Sequence, residues 1–241
     1  MRSVIAAVLV VPVVVVFLIG PYTFLPSLLE YAVATDVQNR LGLEKQPEVN
    51  LRSDPPLNML KGEFSGGRIA MRNVDLGVVS AERARIDLDP FDIDVWDTLK
   101  NGRVVDREPL SGALRIEVSE SEVARLAQKG SPMPITSFEV EKDSVIVGSE
   151  ASALGTQFPV SVEGDLALDN ANLVFEPRGV EAAGVPVPDE LADRLLSGAD
   201  FEYPLGRLPY QSRITGVQTE SGRIVLDGRV PSIPLGAYPG G

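Results

Sequence analysis

The spacing of hydrophobic positions changes along this chain, and each change marks an element. Residues 4–19 read VIAAVLVVPVVVVFLI, sixteen consecutive residues with no charged or hydrogen-bonding side chain. With the flanking residues 20–25 the stretch reaches the ~20 residues that a bilayer-spanning helix needs. Arg2 precedes the run and the next basic residue is Arg40. This bias predicts Arg2 inside and the long C-terminal part outside. A cleaved signal peptide competes with this reading, but its apolar run is usually only roughly 7–15 residues. The one tidy small-residue site, Ala32-Val33-Ala34, lies well beyond the run. The pattern favours an uncleaved transmembrane anchor over residues 1–25.

The next stretch, 26–43, has apolar residues at Leu28, Leu29, Ala32, Val33, Val37 and Leu41. That spacing predicts an amphipathic helix with one buried stripe, stopped at Gly42. The same stripe would serve an ordinary core or a lipid-lining wall. From Gln46 the period changes to two. Val49 and Leu51 alternate with polar partners, and Asp54-Pro55-Pro56 breaks the strand. Residues 57–62 read as a short turn of helix. Over 63–76, Ile69 and Met71 alternate, then slip to Val74 and Leu76, and 80–88 places Ala84, Ile86 and Leu88 opposite Arg83, Arg85 and Asp87. These are strands with one dry and one wet face.

Ile93, Trp96 and Leu99 recur every third residue, predicting a short helix within 90–102. A strand over 110–118 follows, then a helix opened by Ser119 and Glu122 as a capping box and stopped at Gly130. The strand-then-helix order of 84–102 and 114–130 looks like a degenerate repeat. The second half reads as strands: 137–141 and 145–147 as a hairpin, then 157–168, 172–180, 208–219 and 223–230. One helix over 188–196 interrupts them, with Asp189 and Glu190 in its first turn. The sum is an α+β protein with a long, mostly antiparallel sheet interrupted by amphipathic helices. Residues 26–233 form the extracytoplasmic domain and 234–241 a loose Pro- and Gly-rich tail.

Composition removes several functions. There are 34 acidic and 22 basic residues, a formal charge of −12. Nucleic-acid binding needs clustered Lys and Arg, so no nucleic acid is expected. The chain has no Cys and no His. That removes Ser-His-Asp and Cys-His catalysis and His-ligated zinc together. No cofactor or metal is implied. The acidic cluster Asp87, Asp89, Asp92, Asp94 and Asp97 fails the EF-hand spacing and reads as a solvated face. Glu139, Glu141, Glu163 and Asp165 could in principle supply paired carboxylates for glycoside hydrolysis, which needs no His. Nothing pairs any two of them, so the alternative of an envelope carbohydrate-processing enzyme has only residue types behind it. An apolar binding module remains, with amphipathic helices beside amphipathic strands.

At this point a resemblance enters. The anchor, a helix ending Val37-Gln38-Asn39-Arg40-Leu41, and Pro56-Leu57-Asn58-Met59-Leu60-Lys61-Gly62-Glu63-Phe64 come first. Tyr203-Pro204-Leu205-Gly206-Arg207-Leu208-Pro209, Ile214-Thr215-Gly216-Val217 and Ser221-Gly222-Arg223-Ile224-Val225-Leu226 follow. This pattern resembles the LmeA-like phospholipid-binding proteins of actinobacterial cell envelopes. The resemblance implies a tubular lipid-binding type of fold, a curved sheet wrapped on a long helix, and a phospholipid as partner. In mycobacterial relatives the role is linked to mannan elongation in lipomannan. It implies no catalytic residues. Within that frame the stripe Leu28, Leu29, Ala32, Val33, Val37 and Leu41 is one candidate wall and Leu191, Leu195 and Leu196 another. Met59, Leu60 and Phe64 are a candidate lip, and Arg68, Arg72, Arg207 and Arg213 are candidates for a head-group phosphate, which Arg binds bidentately.

Overall fold

The computed structural model describes residues 25–101, 104–131, 134–153, 156–182, 184–187, 192, 201–206 and 208–233. The expected anchor, the 188–196 helix (apart from residue 192) and the 234–241 tail lie outside these residues. No helix among the described residues is long and apolar enough to cross a membrane.

The fold is α+β. A helix over 25–41 (α1) leads into β1 (Glu48–Arg52) and a 3-10 turn (Pro56–Lys61), followed by β2 (Glu63–Phe64), β3 (Gly66–Asp75), β4 (Ser80–Leu88) and β5 (Phe91–Asp92). Next come α2 (Val95–Asn101), β6 (Leu110–Ser119), α3 (Glu120–Gly130), β7 (Ser137–Glu141) and β8 (Ser144–Ala153). The chain continues through β9 (Thr156–Asp169), β10 (Asn172–Ala182), β11 (Val185–Pro186), β12 (Glu202–Pro204), β13 (Arg213–Glu220) and β14 (Arg223–Ile233). One sheet has the order β1-β3-β4-β6-β14-β13, and a second runs β11-β10-β9-β8-β7 with β12 also paired to β10. β2 and β5 form a separate ribbon. Long antiparallel hairpins dominate, such as β9 with β10 and β13 with β14.

Two compact units result. The first takes its described residues from Met1–Met71, Ile86–Gly112 and Ser232–Gly241, the second from Arg72–Arg85 and Ala113–Pro231. Strands β3, β4, β6 and β14 therefore each begin in one unit and end in the other. In the first unit the buried residues include Leu25, Leu29, Val33 and Val37 of α1, Leu51, Phe64, Ile69, Ile93 and Val95. In the second they include Val123 and Leu126 of α3 with Val140, Val145, Val162, Leu173, Phe175, Ile224 and Leu226. Phe175 stacks on Phe201 with centroids 5.4 Å apart, a contact of the offset kind that aromatic pairs favour.

The slip expected after Met71 is a bulge. Arg72 and Asn73 are both exposed, Asn73 takes φ 52°, and Val74 returns to the core. An extra residue in a strand restores the inward face in this way, and Asn tolerates the left-handed region better than most residues. The hairpin across Lys142-Asp143 is present, with Asp143 at φ 68°.

The short helix expected within 90–102 is present, and its Trp96 is 79% exposed. The helix starts only at Val95, so Ile93 is buried before it and Val95 takes the inward position. The strand expected from 208 begins at Arg213, because Pro209–Gln211 forms a 3-10 turn. The capping box at α3 does not form. Ser119 makes no side-chain cap bond, and Glu122 instead accepts the Ser80 N–H at 2.8 Å and pairs with Arg125.

Candidate functional site

The first unit collects most of the expected lipid-contacting residues that are described. Along α1, Leu25, Leu29, Val33 and Val37 follow one another at intervals of four and are all buried. That interval holds one helical face. Leu29 and Val33 have no accessible surface and Val37 has 2%. A ligand reaches them only by displacing what covers them. The stripe is narrower than the sequence suggests: Leu28 is 55% exposed, and Ala32 and Leu41 are half-buried. A helix advances by about 100° per residue, so Leu28 leaves the face that Leu25, Leu29 and Val33 define.

Two polar contacts fix α1. The Glu30 carboxylate accepts the Leu51 N–H at 2.9 Å, tying the N-terminal half of the helix to the end of β1. Toward the other end Asp36, only 8% exposed, accepts a hydrogen bond from Arg40 Nε at 2.7 Å. A carboxylate this buried needs such a partner. The sequence reading missed both Glu30 and the Asp36–Arg40 pair. The signal for the pair was an acid at i+3 from Val33, on the buried side of the stripe.

The segment expected to form a lip is compact. The 3-10 turn ends at Gly62, whose φ of 85° is left-handed and whose N–H donates to the Met59 carbonyl at 3.0 Å. The Gly62 carbonyl accepts the Ile93 N–H at 2.9 Å, so the turn is clamped to the segment leading into α2. β2 pairs with β5, and Phe64 stacks on Phe91 with centroids 4.9 Å apart. Phe64 is buried as a floor, Met59 is half-buried, and Leu60 is exposed. Asp94 caps α2 by accepting the Asp97 N–H at 2.9 Å.

The arginines are dispersed. Arg68 lies in the first unit and donates to Asp87 at 2.8 Å, both side chains being substantially exposed. Arg72 and Arg213 belong to the second unit and are exposed. Arg213 stands opposite Arg229 across β13 and β14. Arg207 and the wall Leu191, Leu195 and Leu196 lie outside the described residues. The structure thus gathers the α1 face, Met59, Leu60, Phe64 and Arg68 in one unit, and Arg72 and Arg213 in the other.

The carboxylates are engaged elsewhere. Glu163 and Asp165 share Arg178 at 3.6 and 3.0 Å on an exposed strand face. A glycosidase instead needs one carboxyl group kept protonated beside the scissile bond. Among the acidic cluster, Asp87 pairs with Arg68, Asp89 accepts from the Ser111 hydroxyl at 2.6 Å, and Asp94 is the α2 cap. Among the described residues no group of acidic side chains is arranged to hold a metal. Glu122 is held below the ordinary glutamate value by its hydrogen bonds from Arg125, against desolvation, with help from the Ser80 N–H. Its setting is structural, at the start of α3.

Two clefts lie in the second unit. One of 580 Å³ is lined by Lys142, Asp143, Asp165, Leu166 and residues 217–221, the other of 320 Å³ by Asp75, Glu82, Ser119, Glu122 and their neighbours. Their acidic lining suits neither acyl chains nor a phosphate.

Comparison with curated proteins and with solved structures finds no match. The model of the LmeA-like phospholipid-binding family matches residues 21–229. A match over that span, from before α1 into β14, leaves little of the chain outside the family pattern, and the chain belongs to the LmeA-like phospholipid-binding family.

Proposed function

We propose that this chain is a membrane-anchored, extracytoplasmic phospholipid-binding protein that supports lipid or lipoglycan handling in the cell envelope. The family match over residues 21–229 carries the phospholipid-binding part of this reading. Residues 1–25 are the tether, and the apolar run over 4–19 is its basis. The acyl chains are held beside α1, with Ala32, Leu41, Met59 and Leu60 as first contacts, because these apolar residues keep accessible surface. Leu29, Val33 and Val37 join when the cover over α1 opens. The curved sheet wrapped on a helix belongs to the same reading, by likeness to the family. An acidic domain binds lipid through apolar contact rather than through a polybasic patch.

The test is native mass spectrometry of residues 21–241 purified without detergent, with organic extraction of bound material. A stoichiometric phospholipid mass is the expected result. A chain that stays lipid-free after incubation with phosphatidylcholine vesicles would overturn the proposal.

A further inference from the structure

Among the described residues six large hydrophobic side chains are exposed: Leu28, Tyr31, Leu57, Leu60, Trp96 and Val185. All but Val185 lie in the first unit. The segments that carry them are joined to one another by hydrogen bonds. Glu30, between Leu28 and Tyr31, contacts Leu51 at the end of β1. The next residues lead straight to the lip: Ser53 Oγ donates to the Glu63 carbonyl at 2.7 Å, and the Arg52 carbonyl accepts the Ser65 N–H at 2.9 Å. Gly62 then clamps the 3-10 turn to Ile93, three residues before Trp96.

Two of the three elements pair their exposed apolar residues. Leu57 and Leu60 are three apart in a 3-10 turn, where side chains at that spacing eclipse. Leu28 and Tyr31 are three apart on α1, neighbours on one helical face. Trp96 is followed four residues later by Lys100, and Leu60 directly by Lys61, both lysines exposed. An indole and aliphatic side chains with ammonium groups beside them suit the boundary between acyl chains and head groups.

The sequence says what covers this surface. The apolar run over 4–19 ends only five residues before the first described turn of α1. A chain leaving a bilayer at that point delivers this part of the unit to the membrane first. We propose that the part of the first unit formed by Leu28, Tyr31, Leu57, Leu60 and Trp96 docks on the bilayer surface, with Trp96 seated at the acyl boundary. This surface meets the proposed lipid site at Leu60, so the test uses variants at Leu57 and Tyr31, which that site does not include.

Trp96 is the sole tryptophan, so it reports alone. The full chain is reconstituted into phosphatidylcholine vesicles with and without brominated acyl chains. The expected result is a blue-shifted Trp96 emission that the brominated lipid quenches, with quenching lost in Leu57→Asp and in Tyr31→Ser, while the phospholipid extracted per chain from residues 21–241 of each variant, purified without detergent or vesicles, stays at the wild-type level. Emission that stays at its solvent position and unquenched overturns the proposal, as a protein partner covering this surface would also produce. Quenching that persists in both variants overturns it too, since a lipid held internally would then account for it. Quenching without extractable phospholipid supports docking and counts against the internal site.

Discussion

Gly62→Ala is the sharpest perturbation of the lip. A Cβ at this position would lie 1.9 Å from the Ile93 carbonyl oxygen, a backbone atom. The same residue has φ 85°, where a side chain costs about 1–2 kcal/mol. Relief of the clash must move Ile93 away and so loses the hydrogen bond from its N–H to the Gly62 carbonyl. A lost bond with its buried partner unsatisfied adds about 1–3 kcal/mol. The total is about 2–5 kcal/mol, or roughly 4–20 °C in Tm for a chain of this size. Gly77→Ala is the matched control. Gly77 has φ 84° but a Cβ there meets nothing within 4 Å. It should show the conformational cost alone, about 1–2 kcal/mol. Thermal unfolding followed by circular dichroism gives both values, and Trp96 emission reports the lip directly. Equal losses in the two variants would refute the clamp, because the clash would then contribute nothing.

Further outcomes are expected. Leu29→Ala should cost about 2–5 kcal/mol by urea unfolding, whereas Leu28→Ala should stay within about 0.5 kcal/mol; equal effects would mean that α1 buries a different face. Glu122→Ala should cost about 2–3 kcal/mol at neutral pH, through lost charge-assisted bonds to Ser80 and Arg125. Because its native pKa is depressed, this stabilisation is complete above the ordinary glutamate value of 4.5 and is lost as pH falls through the native value. The gap between wild type and variant should therefore close on acidification, and a gap that grows would contradict the assignment. Asp94→Ala removes the cap of α2 and should cost about 1 kcal/mol, with a rise in Trp96 mobility by fluorescence anisotropy.

Much of the fold was legible because the period of the apolar positions changes where the elements change. The bulge at Asn73 was readable as two polar residues between Met71 and Val74. What misled was apolar residues outside the core. Leu28 and Trp96 look like core by side-chain type, and a periodicity argument assigns every apolar residue inward. The structure separates them by phase: α1 buries every fourth residue from Leu25, and Asp94 fixes the start of α2 so that Val95 rather than Trp96 turns inward. The capping box failed for a different reason. The competing donor, Ser80, is 42 residues away from Glu122, and no local pattern contains it. The arginine candidates rested on residue type alone, and strand register sets one of them, Arg213, opposite Arg229.

The two units divide the chemistry. The second carries ion pairs along its strands, with Arg115 near Glu220 and Asp227, Arg223 near Glu117 and Glu220, and Arg178 near Glu163 and Asp165. Such exposed pairs are worth little for stability and mark wet faces. The first exposes Leu28, Tyr31, Leu57, Leu60 and Trp96. Trp96 with 79% of its surface free, at about 25 cal/mol per Å², gives up to about 4 kcal/mol on burial in lipid. Leu57 and Leu60, at 56% and 37% exposure, add about 2 kcal/mol together. These three alone reach about 6 kcal/mol, about that of a single myristoyl chain, which gives marginal and reversible binding, and Leu28 and Tyr31 add to it. A formal charge of −12 works against approach to an anionic bilayer, although salt screens it beyond about 10 Å. Burial of these side chains is therefore strong enough to orient the domain on a bilayer that is held near it. With residues 1–25 as the proposed tether, such docking would let a lipid-binding domain meet the bilayer repeatedly in one orientation.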